Sequence, residues 1–209
     1  MKDFFDYIAL HPVAGVAIVL LLILTVFVWI KAVQSGKARN LERERIIAKI
    51  EEEKKLRSDY KIITEEVLSN ETDNYRLIQG VCANIQMSIE KTDDINTAFN
   101  QLHFVKKNIY SLGYFFEDTK SNLSDFFKVN GEPLLSSAKY AVNLLFPENL
   151  KEIFNSDYSM YDENNEDVSL NKSLIRENDR KYSEYFSNNK NQIFEKIATY
   201  IKINIDFLQ

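Results

Sequence analysis

The chain has 209 residues, 45% of them hydrophobic, with 5 glycines, 3 prolines, one cysteine and a formal net charge of −5. Sheet proteins need Gly, Pro and Asn-Gly turns at short spacing, so this composition excludes a strand-rich chain and predicts long helices, with room for one domain plus appendages. The lone Cys82 excludes an internal disulfide and fits a reducing compartment, and His11 and His103 are the only histidines, too few for a zinc site of ordinary composition.

The first predicted element is a membrane span. Val13 to Ile30, "VAGVAIVLLLILTVFVWI", is 18 residues without a charge and with Thr25 as its one polar side chain. At ~1.5 Å per residue such a helix reaches roughly 27 Å, close to the hydrocarbon thickness of a bilayer. Val13, Leu20, Leu22 and Phe27 face lipid in this reading, with Trp29 and Lys31 at the interface. A cleaved signal peptide is the alternative, but its apolar core should be shorter, and Lys31 interrupts the approach to Val33-Gln34-Ser35. Only Lys2 precedes the span as a cation, whereas Lys31, Lys37, Arg39, Arg43 and Arg45 follow it. The positive flank stays inside, which predicts a single-pass protein of the cell membrane. Residues 1–12 are then a short extracytoplasmic N-terminus, residues 13–33 the transmembrane helix, and the C-terminal domain is cytoplasmic.

Residues 37–69 read as a charged helical stalk, with 17 charged residues among the 30 from Lys37 to Glu66. Glu51/Lys55 and Glu53/Arg57 are acid-first i,i+4 pairs that support a helix. Leu56, Tyr60, Ile63 and Val67 step by 4, 3 and 4 and form a short heptad seam. Two readings follow: a solvated stalk, or a weak homodimer through a short coiled coil.

Residues 70–209 read as one all-α soluble domain. Ile78, Val81, Cys82, Ile85 and Ile89 share a face. Ile95, Ala98, Phe99, Leu102, Val105, Ile109 and Leu112 make the longest stripe, ending at Gly113. A short helix near Leu123–Phe127 stops at Asn130-Gly131, where a left-handed residue is expected. Pro133 sits at a natural first helical position and Pro147 opens another helix. The segment Ser156 to Asn171 breaks the pattern. Two final helices are expected, the first with Tyr182, Tyr185 and Phe186, the second with Ile193, Phe194, Ile197, Tyr200 and Ile201.

No catalytic, cofactor-binding or metal-binding constellation is predicted. No Gly-rich phosphate loop follows a strand, and nothing near His103 looks like a nucleophile elbow. The run "DYSMYDENNEDV" fails as a calcium loop: counted from Asp157, its sixth and twelfth positions hold Asp162 and Val168, where Gly and Glu are required. It remains a candidate contact surface, with Tyr158, Tyr161, Asp162, Glu163, Glu166, Asp167 and Tyr185 as partner-binding residues. Asn70 to Gln209 holds 21 acids against 15 bases, and no Lys/Arg stripe is expected. Direct nucleic-acid binding is therefore not predicted, while a basic surface on a partner protein suits the domain.

Two stretches, "DFFKVNGEPLLSSAKYAVNLLFPENLKEIF" and "NDRKYSEYFSNNKNQIFEKIATYIKINIDFL", resemble the DMP19 (DUF4375) family over roughly residues 95–209. The shared features are a long leading helix, an aromatic segment of the form Phe-Phe-x-x-x-Gly-Glu, and a late helical pair closing on a terminal Phe. The Asn-Gly-Gly-Phe turn typical of the family is replaced here by "TKSNLSDFF", Thr119 to Phe127. The resemblance implies an all-α protein-binding domain without catalytic residues or cofactors. The family's founding member is described as a DNA mimic, a role that would require a spaced acidic face.

The expected function is thus a single-pass, membrane-anchored, non-catalytic interaction module presenting an acidic, aromatic helical domain to a cytoplasmic partner. Two alternatives stand beside it. One is a structural subunit whose span assembles through the small residues Ala14, Gly15 and Ala17. The other is an enzyme or immunity factor whose site forms only in the fold.

Overall fold

The structure is a computed structural model that describes residues 24, 25, 29, 31, 42–160 and 172–209. The chain divides into two compact units, Met1–Glu53 and Lys54–Gln209. In the first, residues 42–53 are helical and exposed, including Ile46, Ile47 and Ile50. Among the described residues no helix is long and apolar enough to cross a membrane. The expected lipid-facing residues Val13, Leu20, Leu22 and Phe27 lie outside the described residues, whereas Trp29 and Lys31 are helical and exposed.

Every regular element among the described residues is helical. In the second unit these are α1 (Glu65–Asn70), α2 (Asn74–Ile89), α3 (Ile95–Gln101), α4 (Phe104–Asp118), α5 (Leu123–Val129), α6 (Leu134–Leu145), α7 (Glu148–Tyr158) and α8 (Lys172–Ile203). A 3-10 turn at Ile205–Phe207 follows. Short polar side chains start the early helices by accepting otherwise orphaned backbone N–H groups. Thr64 Oγ1 accepts from Val67 at 3.2 Å, Asp73 from Tyr75 and Arg76 at 2.9 and 3.1 Å, and Asp94 from Thr97 at 3.1 Å.

α4 is the central helix. Val105, Ile109 and Leu112 are fully buried, and α4 packs on α2, α5 and α6, while α8 runs along α2, α5, α6 and α7. Phe115 ties these layers together, meeting Phe126, Phe146 and Tyr182 edge-on at 5.3, 5.5 and 5.9 Å. Ring quadrupoles favour that geometry over face-to-face contact.

Several expectations need correction. The heptad seam is not a continuous helix, because the helical run from residue 42 ends at 59 and α1 begins at Glu65. Tyr60 and Ile63 turn into the core instead, at 2% and 4% exposure. The cause is tertiary: Asn84 Nδ2 donates to the Tyr60 and Lys61 carbonyls at 2.8 and 3.1 Å, and the Tyr60 hydroxyl donates to Glu71 at 3.1 Å. The Tyr60 ring lies on Gly80, where any methyl would overlap it. The compact unit accordingly starts at Lys54, upstream of Asn70.

The long stripe from Ile95 is two helices, not one. Leu102 and His103 are extended, and His103 Nδ1 accepts from Val105 N–H at 3.4 Å to begin α4. Gly113 does not end that helix. It lies inside α4 against Cys82, whose Sγ a methyl at 113 would strike. The turn at Asn130-Gly131 holds no left-handed residue, since no positive φ occurs among the described residues. Asn130 Nδ2 closes α5 instead, donating to the Phe126 carbonyl and to Asp118, both at 2.8 Å. Pro133, after a cis Glu132–Pro133 bond, stands one residue before α6. The two final helices are the single α8, because Asn costs a helix interior only a few tenths of a kcal/mol, up to about 0.7 relative to Ala. Asn189 Nδ2 donates back to the Tyr185 carbonyl at 2.9 Å, and no Gly or Pro interrupts the run.

Candidate functional site

An unbroken α8 puts residues on one face that two helices would have separated. Arg176, Arg180, Ser183, Ser187 and Lys190 fall at steps of 4, 3, 4 and 3, a single stripe on a 3.6-residue helix. This is the Lys/Arg-bearing stripe that the sequence reading did not expect. Lys181 pairs with Glu177 at 2.7 Å on the neighbouring face. Arg176, Arg180 and Lys190 have no ion-pair partner among the described residues.

The opposite wall is the corner between α4 and α5. Its geometry comes from α8 itself. Asn122, the residue before α5, offers no cap; its side chain donates to Asp125 at 3.1 Å. Asp179 of α8 supplies the missing acceptor, taking the Ser124 backbone N–H at 2.8 Å and its hydroxyl at 2.9 Å. Three residues on, the Tyr182 hydroxyl shares a 2.8 Å hydrogen bond with Thr119, which also donates to the Phe115 carbonyl. Burial of Tyr182, 3% exposed, raises its phenol above the ordinary range, so it stays a neutral hydroxyl. The segment Thr119–Ser124 and α8 therefore meet here, pinned by Asp179 and Tyr182.

Between these walls lie two contiguous clefts. One, of about 520 Å³, is polar and includes Ser121, Asn122, Arg176, Arg180 and the acids Asp179 and Glu184. The other, of about 310 Å³, shares Ser121, Ser183 and Ser187 with it and has an aromatic floor of Tyr75, Phe116, Phe186 and Phe194, with Lys120 and Lys190 at its edge. Lys120 is paired with Glu117 at 2.6 Å. Together they form a groove, lined at one end by two cations and two acids and at the other by aromatic rings.

A third cleft, of about 570 Å³, lies across α8 against α7, lined by the amides of Asn149, Asn178, Asn188 and Asn189 together with Tyr185. Beside it Asp157 is 5% exposed. Its Oδ1 accepts from Asn178 Nδ2 at 2.7 Å, while Oδ2 is buried without a hydrogen-bond partner. Burial pushes its carboxyl up from 3.8 to about 6, against the opposing pull of the Asn178 hydrogen bond.

Of the residues expected to bind a partner, Tyr158 and Tyr185 are among the described ones. Tyr158 is half-buried, donating to Glu132 at 3.2 Å with Lys139 Nζ over its ring at 4.2 Å. Tyr185 lines the α7–α8 cleft. Tyr161, Asp162, Glu163, Glu166 and Asp167 lie outside the described residues. His103 is occupied as a cap and stacks on Phe207 at 4.2 Å. Cys82 is buried, and burial lifts its thiol to about 12, far from a nucleophile's range. Among the described residues no group of three His, Cys, Asp or Glu is placed to hold a metal.

Fold and groove together define an all-α domain with an open cleft along its last helix, lined by charges of both signs and aromatic rings. No family model, curated protein or solved structure matches the chain.

Proposed function

We propose that this protein is a single-pass, membrane-anchored interaction module that presents its helical domain to a cytoplasmic partner. The observation that carries this reading is the groove: an apolar floor of Phe186 and Phe194 beside a cleft lined by charges of both signs, open along one helix, has the anatomy of a protein-contact surface. The apolar run Val13–Ile30 supports the anchor, and the cations from Lys31 to Arg45 support a cytoplasmic domain. The resemblance to the DMP19 family supports protein binding without catalysis. The domain's excess of acids adds attraction to a basic partner surface.

A photo-crosslinking residue placed at Ser183 in native membranes tests the module. One discrete adduct that saturates with expression level is expected. A smear indistinguishable from a crosslinker at exposed Lys202 would defeat the reading. Anchoring is read separately, as retention in the membrane pellet after alkaline carbonate washing, lost when residues 13–30 are deleted.

A further inference from the structure

Asn130-Gly131 is the one Asn-Gly step in the chain, and it stands at the corner between α5 and α6. Asparagine before glycine is the pair most prone to spontaneous deamidation, because glycine has no Cβ to hinder its nitrogen's attack on the neighbouring carboxamide. Here the two groups are held in opposite ways. Gly131 is exposed, and its N–H donates to no acceptor among the described residues. The Asn130 carboxamide is latched: Nδ2 donates to the Phe126 carbonyl and to Asp118 Oδ2, each at 2.8 Å, which uses both of its hydrogens. It cannot swing onto the Gly131 nitrogen while both bonds hold. We infer that Asn130 is a self-modification site, a latch that deamidates when the α5–α6 corner opens and does not close again. The inference stands apart from the reading of the domain as an interaction module.

The reaction needs water and nothing else from outside the chain. The Gly131 nitrogen gives up its proton and bonds to Asn130 Cγ. The Cγ–Nδ2 bond breaks, and Nδ2 leaves as ammonia with that proton. Water then opens the cyclic imide. Cleaving the new bond to Cγ leaves aspartate at position 130, whereas cleaving the original peptide bond leaves isoaspartate, with the side-chain methylene moved into the main chain. The balance is one water taken up and one ammonia released, with no change of oxidation state.

Either product puts an acceptor where the latch had two donor hydrogens. A carboxylate cannot donate to the Phe126 carbonyl, and it meets Asp118 as a like charge instead of a hydrogen-bond donor. Isoaspartate does more, because the longer main chain shifts the Gly131 carbonyl. That carbonyl accepts from the Leu134 and Leu135 N–H groups at 3.1 and 3.2 Å to begin α6. Local opening is reversible for the native chain. After deamidation the closed corner has lost its latch, so the modification records opening at one end of the helix that walls the groove.

The test incubates the detergent-solubilised full chain in mildly alkaline buffer beside a synthetic peptide spanning Lys128–Leu134. Tryptic digests are read by mass spectrometry for the gain of about 1 Da, and isoaspartate by enzymatic methylation. Conversion at Asn130 is expected, at least about tenfold slower than in the peptide, because only the opened fraction reacts. D118A removes one latch bond and should speed conversion several-fold, while amide exchange in α2 stays as it was. N130D mimics the product and should lower the melting midpoint by about 4–8 °C. D118N/N130D restores a donor opposite an acceptor and should recover part of that loss. Conversion as fast as in the peptide, or none at Asn130 once the peptide has fully reacted, would overturn the inference. So would a D118A rate that is unchanged or matched by faster exchange in α2, or an N130D chain that melts with the native one.

Discussion

Replacing Asp157 with Asn should abolish a pH dependence of stability that one buried carboxyl imposes. Asp157 is 5% exposed, and its Oδ2 has no partner. Its folded carboxyl titrates near 6, against 3.8 when unperturbed. The folded state therefore holds the proton more tightly than the unfolded chain does. The resulting stabilisation is fully present below about 3.8, declines as pH rises through about 6, and is gone above that. A gap of about two pH units at ~1.4 kcal/mol each gives a loss of roughly 3 kcal/mol between pH 4 and 7.5. The Asp157→Asn variant keeps the oxygen that Asn178 needs but leaves an amide N–H where Oδ2 was, a cost of about 1–3 kcal/mol. It should be less stable than the native chain at pH 4 and equal to or above it at pH 7.5. Urea unfolding of the detergent-solubilised full chain, followed by far-ultraviolet circular dichroism across that range, measures the difference. Subtracting the two curves cancels the opposite slopes from Glu90, Asp94, Asp125 and Glu177, whose partners hold their carboxyls below the usual range. Parallel curves for the two proteins would refute the reasoning.

Three further outcomes follow from the same geometry. A chain beginning at Asn70 loses the buried side chains of Tyr60, Ile63 and Leu68, worth about 1.5–3 kcal/mol each, and should not melt cooperatively, whereas one beginning at Lys54 should; equal melting curves would contradict the packing of Tyr60 on Gly80. Gly113→Ala should cost about 1–3 kcal/mol by overpacking against Cys82, and adding Cys82→Ala should recover only part of it, because the Cys82 Cβ stays 2.8 Å from the new methyl; a double-mutant cycle by urea unfolding would read the coupling. Asp179→Ala removes the external cap of α5 and should destabilise by about 0.5–2 kcal/mol, with faster amide exchange at Ser124; unchanged exchange there would show that α5 does not depend on α8.

Fold class was legible because glycine and proline are scarce and apolar residues recur at helical spacing, and the α2 face from Ile78 to Ile89 is buried as that spacing predicts. Boundaries were legible only where a local signal is strong. Asp73 and Asp94 cap where short acids should, but Leu102-His103 carries no breaker, and its extended backbone is held by contacts around His103 and Phe207. Gly113 and Asn188–Asn191 look like breaks and are not, because a glycine can serve close packing and an asparagine can donate to the preceding turn. The groove was invisible for the same reason: its stripe requires one register from Arg176 to Lys190.

What the sequence determined by itself is therefore what local physics determines: helices rather than strands, an apolar span-length segment, a cationic flank after it, and a core drawn from periodic positions. Tertiary structure decided the rest. It set where Tyr60 leaves its helix, because Asn84 takes the Tyr60 carbonyl. It also set how α5 starts without a cap of its own, because Asp179 arrives from 55 residues away. The groove's charge belongs to that second group. One continuous helix gathers Arg176, Arg180 and Lys190 beside Asp179 and Glu184, on the face that Asp179 and Tyr182 press against the α4–α5 corner, and side chains sum their fields by distance in space rather than by order along the chain.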